Sequence, residues 1–217
     1  MPPPTHIFSS PPSPPPSPPT IETNTDNTND KPPPHDKQVL DRIELRPTSI
    51  EREVFPHVAA DKALFAFTLQ GYWMDVGQPK DYLSGLRLHL DALRIHKPAE
   101  LAVGAHFRGN VLVDPSAKIG SGCLIGPDVC LGPGCVIGDG VRLSNAVIMK
   151  GVVVGDHAKV ESCIVGWDSK LGAWARLEGF CVLGEDVAVK TELYLNGAVV
   201  LPHKEIKESV GQPTIIL

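Results

Sequence analysis

Aliphatic residues recur about every six positions along residues 113–195 of the chain. The step shortens to five residues at two places, Leu143 to Ile148 and Val160 to Val165. A second small or branched residue follows four positions after each aliphatic one. The fifteen aliphatic positions are Val113, Ile119, Ile125, Leu131, Ile137, Leu143, Ile148, Val154, Val160, Val165, Leu171, Leu177, Leu183, Val189 and Leu195.

This period predicts a parallel β-helix, because six residues are too few for a helix with its own core and the pattern is too regular for a sandwich. Each unit makes one short strand and a turn, three strands close a triangular coil, and fifteen strands make about five coils. The second position also points inward, at Val147, Ile164 and Val199 among others, and only Ser169 is polar there. Eight glycines are predicted at turns that require a positive φ: Gly120, Gly126, Gly132, Gly138, Gly155, Gly166, Gly172 and Gly184.

The first 36 residues differ sharply from the repeat. They hold thirteen prolines and no clear apolar period, so they cannot bury enough apolar surface to fold. We therefore predict a disordered proline-rich leader over residues 1–36. A polyproline ligand for an SH3-type or WW-type groove is the alternative interpretation.

The segment between leader and repeat, residues 37–100, contains short apolar pieces such as ALFAFTLQGYWMDVG. Aromatic and β-branched residues in these pieces favour strands. Gln78-Pro79 then begins a helix over about 78–97, since proline suits the first helical position and the following leucines recur at spacings of three and four. The β-helix is assigned to 101–201.

The last sixteen residues, 202–217, are set apart as a C-terminal tail because the period is lost at Pro202. The tail ends in Ile215, Ile216 and Leu217. Such an apolar end either folds back as a cap on the solenoid or meets a partner subunit.

Charge and hydropathy exclude several classes of partner. The formal net charge is −5 and the pI is near 5.9, so the sequence predicts no basic surface for binding nucleic acid. No stretch approaches the ~20 apolar residues of a membrane span. The N-terminus carries neither a basic nor an apolar targeting region, and we expect a cytoplasmic protein without nucleic-acid or membrane partners.

The five cysteines are interpreted as small hydrophobic residues. Cys123, Cys135 and Cys181 occupy the second inward position of the repeat, on three different faces of the predicted prism. Cys130 and Cys163 have no CxxC neighbour. Disulfide bonds and metal binding are the disfavoured alternatives.

Three long motifs accompany the repeat: RIELRPTSIEREVFPHVA at 42–59, GYWMDVGQPKDYLSGLR at 71–87 and IVGWDSKLGAWARLEG at 164–179. Together with the repeat they resemble the C-terminal portion of eukaryotic mannose-1-phosphate guanylyltransferase, the GDP-mannose pyrophosphorylase β-type subunit. The resemblance extends over about residues 40–217.

The resemblance implies a fold and a reaction. In the family, mannose 1-phosphate attacks the α-phosphate of GTP, and GDP-mannose and pyrophosphate form with the help of Mg²⁺. The family joins a Rossmann-like nucleotidyltransferase domain to a left-handed β-helix used in subunit assembly. The expected fold is therefore mainly β, a left-handed parallel β-helix preceded by a remnant of the α/β nucleotidyltransferase domain.

One functional position carries over from the family. The aspartate of its WMDVG segment helps to coordinate Mg²⁺, and that residue is Asp75 here. A solvated or turn-capping aspartate between a strand and a helix is the alternative interpretation. The glycine-rich loop GGxGTRLxPLT, which cradles the triphosphate in the family, has no match in this sequence. We therefore assign no catalytic residue, and expect negligible turnover and no Mg²⁺ bound by this chain alone, as in a truncated family member.

Other exposed positions suggest an interaction surface. Trp167 and Trp174 fall off the inward positions of the repeat, and together with Arg176 they suit an interface. Packing of the tryptophans against the C-terminal tail is the alternative. His157 is a conceivable base for a hexapeptide acyltransferase, although an inert histidine on an exposed turn is the simpler interpretation.

Two functions therefore stand beside that of a truncated guanylyltransferase. The first is a non-catalytic assembly or regulatory subunit whose β-helix docks onto an intact guanylyltransferase. The second and weaker one is a hexapeptide acyltransferase. The expected partners are further copies of this chain or full-length guanylyltransferase subunits.

Overall fold

The computed structural model describes residues 46–217, so the predicted leader lies outside the described residues. The chain divides into two compact units, residues 1–67 and 68–217. In the described part of the first unit, a π-helical turn at Ile50–Val54 leads into helix α1 at Phe55–Ala60. Ser49 caps the turn: its side chain accepts the Arg52 N–H at 3.3 Å, while the Glu53 carboxylate accepts the Ser49 N–H at 3.1 Å.

The strands predicted before the helix do not form within residues 46–78. Residues 63–70 run without regular structure and are exposed, including the aromatic side chains of Phe65 and Phe67. A strand needs a neighbouring strand to bond its N–H and C=O groups, and β-propensity alone does not supply one.

Helix α2 spans Pro79–His96, where the sequence predicts a helix over about 78–97. Proline occupies its first turn and Leu83, Leu90 and Leu93 are buried. The side chain of Asn110 donates to the carboxylate of Asp91 at 2.8 Å, which ties the last turns of the helix to the start of the solenoid. A 3₁₀ turn at Pro98–Glu100 follows.

The rest of the chain is a parallel β-helix with three sheets, and each strand pairs with the strand one coil away. Sheet A has seven strands. They are β1 Val111–Val113, β4 Val129–Leu131, β7 Ala146–Ile148, β10 Ile164–Val165, β13 Val182–Leu183, β16 Ala198–Val200 and β18 Thr214–Ile216.

Sheets C and B form the other two sides of the prism, and sheet C follows sheet A along each coil. Sheet C comprises β2 Lys118–Ile119, β5 Val136–Ile137, β8 Val153–Val154, β11 Lys170–Leu171, β14 Ala188–Val189 and β17 Glu205–Ile206. Sheet B comprises β3 Leu124–Ile125, β6 Arg142–Ser144, β9 Lys159–Glu161, β12 Arg176–Glu178 and β15 Tyr194–Asn196.

The predicted aliphatic positions line the core. From Ile125 to Leu195 all thirteen are at most 3% exposed, and Val113 and Ile119 pack against them partly buried. The mainly β fold with a parallel solenoid is thus confirmed. It has six coils along sheet C rather than about five.

The second inward position is wrong at three places. Val147, Ile164 and Val199 were expected inside, but Ala146, Cys163 and Ala198 fill the core instead. Each displacement follows a turn from sheet B into sheet A, where the step between aliphatic residues is five. A one-residue deletion reverses the side of every following side chain in that strand, because strand side chains alternate.

The role predicted for the glycines also needs correction. Of the eight, only Gly126 has a positive φ. The others approach the neighbouring coil too closely for a side chain: a Cβ on Gly172 would lie 2.6 Å from the carbonyl carbon of Lys190. The left-handed turn positions are held by other glycines and by residues such as Asp168, His157 and Trp174.

The tail at 202–217 continues the solenoid. Strand β17 pairs with β14 on sheet C, Val210 bridges to Leu195 on sheet B, and β18 pairs with β16 on sheet A. Ile206 of this last coil is buried in the core. The coil therefore closes the C-terminal end of the solenoid.

Candidate functional site

The outer face of sheet A is apolar, and helix α2 covers its middle strands. Its outward residues form one ladder across the seven strands. Leu83 of the helix packs on Val147 and Ile164, which are 5% and 6% exposed. The ladder consists of Leu112, Cys130, Val147, Ile164, Val182, Val199 and Ile215.

Polar and charged groups flank this helix contact in a cleft of about 280 Å³ between helix α2 and the turns that enter sheet A. Lys80 lies 5.5 Å from the ring centre of Phe180, and burial raises the pKa of Asp128 at the other wall. Asn145 donates to the Ser162 hydroxyl at 3.1 Å. The sequence patterns gave no sign of this cleft, because its polar groups come from the turns of successive coils.

The outer face of sheet B carries its own ion pairs. Lys159 bonds the carboxylates of Glu161 and Glu178 at 2.7 Å each, and Arg176 Nε donates to Glu178 at 2.8 Å. Hydrogen bonds from Arg176 and Lys159 lower the pKa of Glu178 below its ordinary value. The Arg176 guanidinium also lies 5.7 Å from the ring centre of Tyr194. Arg176, an expected interface residue, is thus engaged within its own chain.

The outer face of sheet C is flat and open. The outward residues of its second and third strands are Val136 and Val153, which are 39% and 37% exposed. Glycine follows the inward residue on the first four strands, so no second outward side chain stands there. The outward ladder reads Lys118, Val136, Val153, Lys170, Ala188 and Glu205.

The two expected interface tryptophans flank this face. Trp167 lies in the turn before β11 and Trp174 in the turn after it, and they are 52% and 59% exposed. The ring of Trp174 stacks on His157 with ring centres 4.4 Å apart. Both residues of the stack have a left-handed backbone, with φ of 60° and 58°. Other solenoid turns hold residues with the same backbone, such as Asp168 and Asp186, so this conformation belongs to the repeat.

The metal position expected from the family resemblance lies apart from these faces. The carboxylate of Asp75 accepts the Gly77 N–H at 3.1 Å and so closes a local turn. Residues 46–217 contain no group of three His, Cys, Asp or Glu placed to share a metal ion. A single carboxylate does not supply the near-octahedral shell of oxygen ligands that Mg²⁺ requires.

The cysteines behave as expected from the repeat. All five are free, and Cys123, Cys135 and Cys181 are buried at turns leading into three different sheets. Cys163 is buried as well, at the position the short turn shifted inward. Burial raises the pKa of the Cys123, Cys130 and Cys135 thiols, which keeps them neutral.

No helix within residues 46–217 has the length and apolar character to cross a membrane. This agrees with the hydropathy of the sequence.

Solved structures that match this chain in part include acetyltransferases. A perosamine N-acetyltransferase from Caulobacter crescentus matches with a TM-score of 0.41 at 18% identity, over 60% of each chain. The acetyltransferase domain of PglB from Neisseria gonorrhoeae matches with a TM-score of 0.28 at 16% identity, over 59% of this chain and 60% of that one.

Curated relatives are much more similar in sequence. Over 179 residues the chain is 62% identical to the probable mannose-1-phosphate guanylyltransferase 1 of Oryza sativa subsp. japonica and 58% identical to mannose-1-phosphate guanylyltransferase 1 of Arabidopsis thaliana. It is also 58% identical to the mannose-1-phosphate guanylyltransferase catalytic subunit beta of Danio rerio. Each match covers 82% of this chain and 50% of the relative, so the chain spans about half the length of these relatives.

A family model agrees with these relatives. The model described as the GMPPB C-terminal domain matches residues 107–216, which hold nearly the whole solenoid. The chain therefore belongs to the mannose-1-phosphate guanylyltransferase family, which it matches through this C-terminal domain.

Proposed function

We propose that the chain serves GDP-mannose synthesis as a non-catalytic assembly component, which binds guanylyltransferase subunits through its β-helix. The observation that carries the proposal is a complete, closed solenoid that belongs to the GMPPB C-terminal domain family and retains an uncovered face flanked by Trp167 and Trp174. Exposed tryptophans are enriched among residues that dominate binding energy.

The proposal includes negligible guanylyltransferase turnover by these 217 residues alone. The support is local: Asp75 is tied into a turn with Gly77, and residues 46–217 hold no group of three His, Cys, Asp or Glu placed to share a metal ion. The sequence also contains no match to the glycine-rich loop GGxGTRLxPLT. The Mg²⁺ role of Asp75 stays a prediction for a complete guanylyltransferase assembly.

We place this role in the cytoplasm. All five cysteines of the chain are free thiols, four of them buried in the solenoid. Proteins of oxidising compartments commonly pair their cysteines, whereas reducing compartments keep thiols free. The absence of nucleic-acid partners is likewise expected from the net charge of −5.

Binding is tested by mixing the chain with full-length mannose-1-phosphate guanylyltransferase 1 of Arabidopsis thaliana and measuring mass by light scattering. We expect a mixed oligomer, and we expect Trp174→Ala to weaken it by about tenfold or more in dissociation constant. Trp73→Ala is the matched control, because Trp73 is an exposed tryptophan outside the solenoid. Absence of any mixed oligomer and of any change in the partner's rate would refute the proposal.

Turnover is tested on the purified 217-residue chain with GTP, mannose 1-phosphate and Mg²⁺. We expect pyrophosphate release no faster than that of an Asp75→Ala variant. A rate clearly above this control would show that the chain is itself an enzyme. That result would overturn the non-catalytic part of the proposal and leave the binding part standing.

A further inference from the structure

We propose that the cleft between helix α2 and the turns that enter sheet A binds a phosphorylated monosaccharide. This ligand site goes beyond the assembly role proposed above and lies on a different surface from Trp167 and Trp174. It is tested on the chain alone, so that the site and the assembly role can fail separately.

Four turn residues form one wall of the cleft, one from each of four successive coils. All four have a left-handed backbone, with φ between 44° and 71°. They lie in register, because the residues one or two positions after them pair across sheet A. Neighbouring strands are about 4.8 Å apart, so the wall is about 14 Å long. The four residues are Asp128, Asn145, Ser162 and Phe180.

Helix α2 supplies the opposite wall through one of its faces. Lys80, Ser84 and Arg87 recur at spacings of four and three, which places them on the same side of the helix. Lys80 lies at one end of the cleft, with its amine 5.5 Å from the ring centre of Phe180. Burial raises the pKa of Asp128 at the other end, and the charge of Arg87 counters part of that effect. One cation therefore lies at each end of the cleft.

The polar groups of the turn wall keep unused hydrogen-bonding capacity. Asn145 donates one N–H to the Ser162 hydroxyl at 3.1 Å. Its carbonyl oxygen and second N–H, and the hydroxyl proton of Ser162, have no partner among residues 46–217. The Asp128 carboxylate likewise accepts no hydrogen bond within the described residues. Such a mixture of donors and acceptors matches the hydroxyl groups of a sugar, each of which can both donate and accept.

The two cations provide for an anionic group. Neither Lys80 nor Arg87 makes an ion pair within residues 46–217, whereas the neighbouring Arg94 pairs with Asp91 at 3.3 Å. Lysine and arginine bind phosphate through charge-assisted hydrogen bonds. The phosphate belongs at the Lys80 end, because the carboxylate of Asp128 would repel it at the other. The sugar ring then extends along the turn wall toward Asp128.

The size of the cleft limits the ligand. Its volume is about 280 Å³, close to the lower bound of roughly 300 Å³ for pockets that hold small molecules. Leu83, which is buried against sheet A, lines the cleft between its two ends. A single sugar ring with its phosphate fits this space, whereas a nucleotide sugar exceeds it.

Binding is measured by isothermal titration of the purified chain with mannose 1-phosphate and with glucose 6-phosphate. EDTA in the buffer excludes any contribution of Mg²⁺ at Asp75. We expect saturable binding of one or both sugar phosphates, about tenfold or more tighter than that of mannose or inorganic phosphate, because each half of the ligand adds its own hydrogen bonds. Lys80→Gln should weaken binding by about tenfold, since it removes a charge-assisted hydrogen bond.

Asn145→Asp tests the turn wall. An aspartate accepts the left-handed backbone, but it removes the amide donors and adds a charge that repels phosphate, so binding should again weaken by about tenfold or more. Lys170→Gln is the matched control, because Lys170 is an exposed lysine on the outer face of sheet C without an ion pair in the described part of the chain. This variant should bind as the wild type does.

Nuclear magnetic resonance of the ¹⁵N-labelled wild type locates the ligand without any variant. The side-chain amide resonance of Asn145 should shift as the sugar phosphate is added. Failure of both sugar phosphates to bind, equal binding of inorganic phosphate, unchanged affinity of Lys80→Gln, or an Asn145 amide that does not shift would each overturn the inference. None of these results bears on binding to the full-length enzyme.

Discussion

Sheets A and C have the same interior and different exteriors. Inward aliphatic residues such as Ile148 on sheet A and Val154 on sheet C are equally buried. Outside, Ile164 on sheet A lies under helix α2 with 6% exposure, whereas Val153 on sheet C is 37% exposed. The six-residue repeat thus determines the interior of each coil but not its exterior. The outward residue of each strand decides whether a face is covered within the chain or stays exposed.

The largest effect should separate these two ladders directly. Ile164→Ala removes side-chain volume beneath the helix and should lower the free energy of unfolding by about 2–4 kcal/mol. Val153→Ala, at an exposed position of the other ladder, should cost less than about 1 kcal/mol. Urea denaturation followed by circular dichroism measures both. Equal losses would mean that helix α2 does not cover sheet A in solution.

The close stacking of the coils at the glycines of sheet C provides a second test. Gly172→Ala places a Cβ 2.6 Å from the backbone of Lys190, and this overpacking between coils should cost about 1–3 kcal/mol. Gly211→Ala is the control, because nothing lies within 4 Å of its added Cβ. The same denaturation experiment applies. If Gly172→Ala were as stable as the control, the coils could shift apart enough to accept a Cβ at no cost. The glycine would then not be needed for close stacking.

The smallest effect concerns sheet B, whose face is occupied by ion pairs rather than by a helix. Because Arg176 and Lys159 lower the pKa of Glu178, its carboxylate stabilises the fold above the unfolded pKa near 4.5. That contribution is lost as pH falls through the lower folded pKa. The free energy of unfolding of the wild type should exceed that of Glu178→Gln by up to about 1 kcal/mol at neutral pH, and this difference should shrink as the pH falls below about 4.5.

Urea titrations at several pH values measure this difference, in which the remaining carboxylates cancel. Glu161, Lys159 and Arg176 are the charged groups beside Glu178, and all remain in the variant. A difference that stays constant from neutral to acid pH would contradict the assignment of the pKa shift.

Much of the interior could be predicted from the sequence. Burial of the aliphatic positions follows from alternation within each strand, which is a local property. The shifted second position was missed although the sequence carries its signal: the five-residue step places Ala146, and not Val147, two residues before the inward Ile148, and strand alternation turns that residue inward. Strands expected at 63–77 failed for the opposite reason, since strand propensity does not create a neighbour.

The candidate site, too, could be predicted from the sequence only in part. Exposure of Trp167 and Trp174 followed from their place in the six-residue unit. Their placement on either side of one open sheet did not, because it depends on which residues the turns bring into register one coil apart. The stack of Trp174 on His157 joins residues seventeen positions apart in sequence, 157 and 174, through such a turn.

The sequence by itself determined the β-helix, its inward aliphatic positions and the family to which the chain belongs, since these depend on a period and on long motifs. Tertiary structure alone decided which face of the prism helix α2 covers and that the tail closes the last coil. It also aligned Lys118 through Glu205 in one ladder on sheet C. The physical reason is that outward contacts join residues a whole coil or more apart, whose register depends on the length of every turn between them.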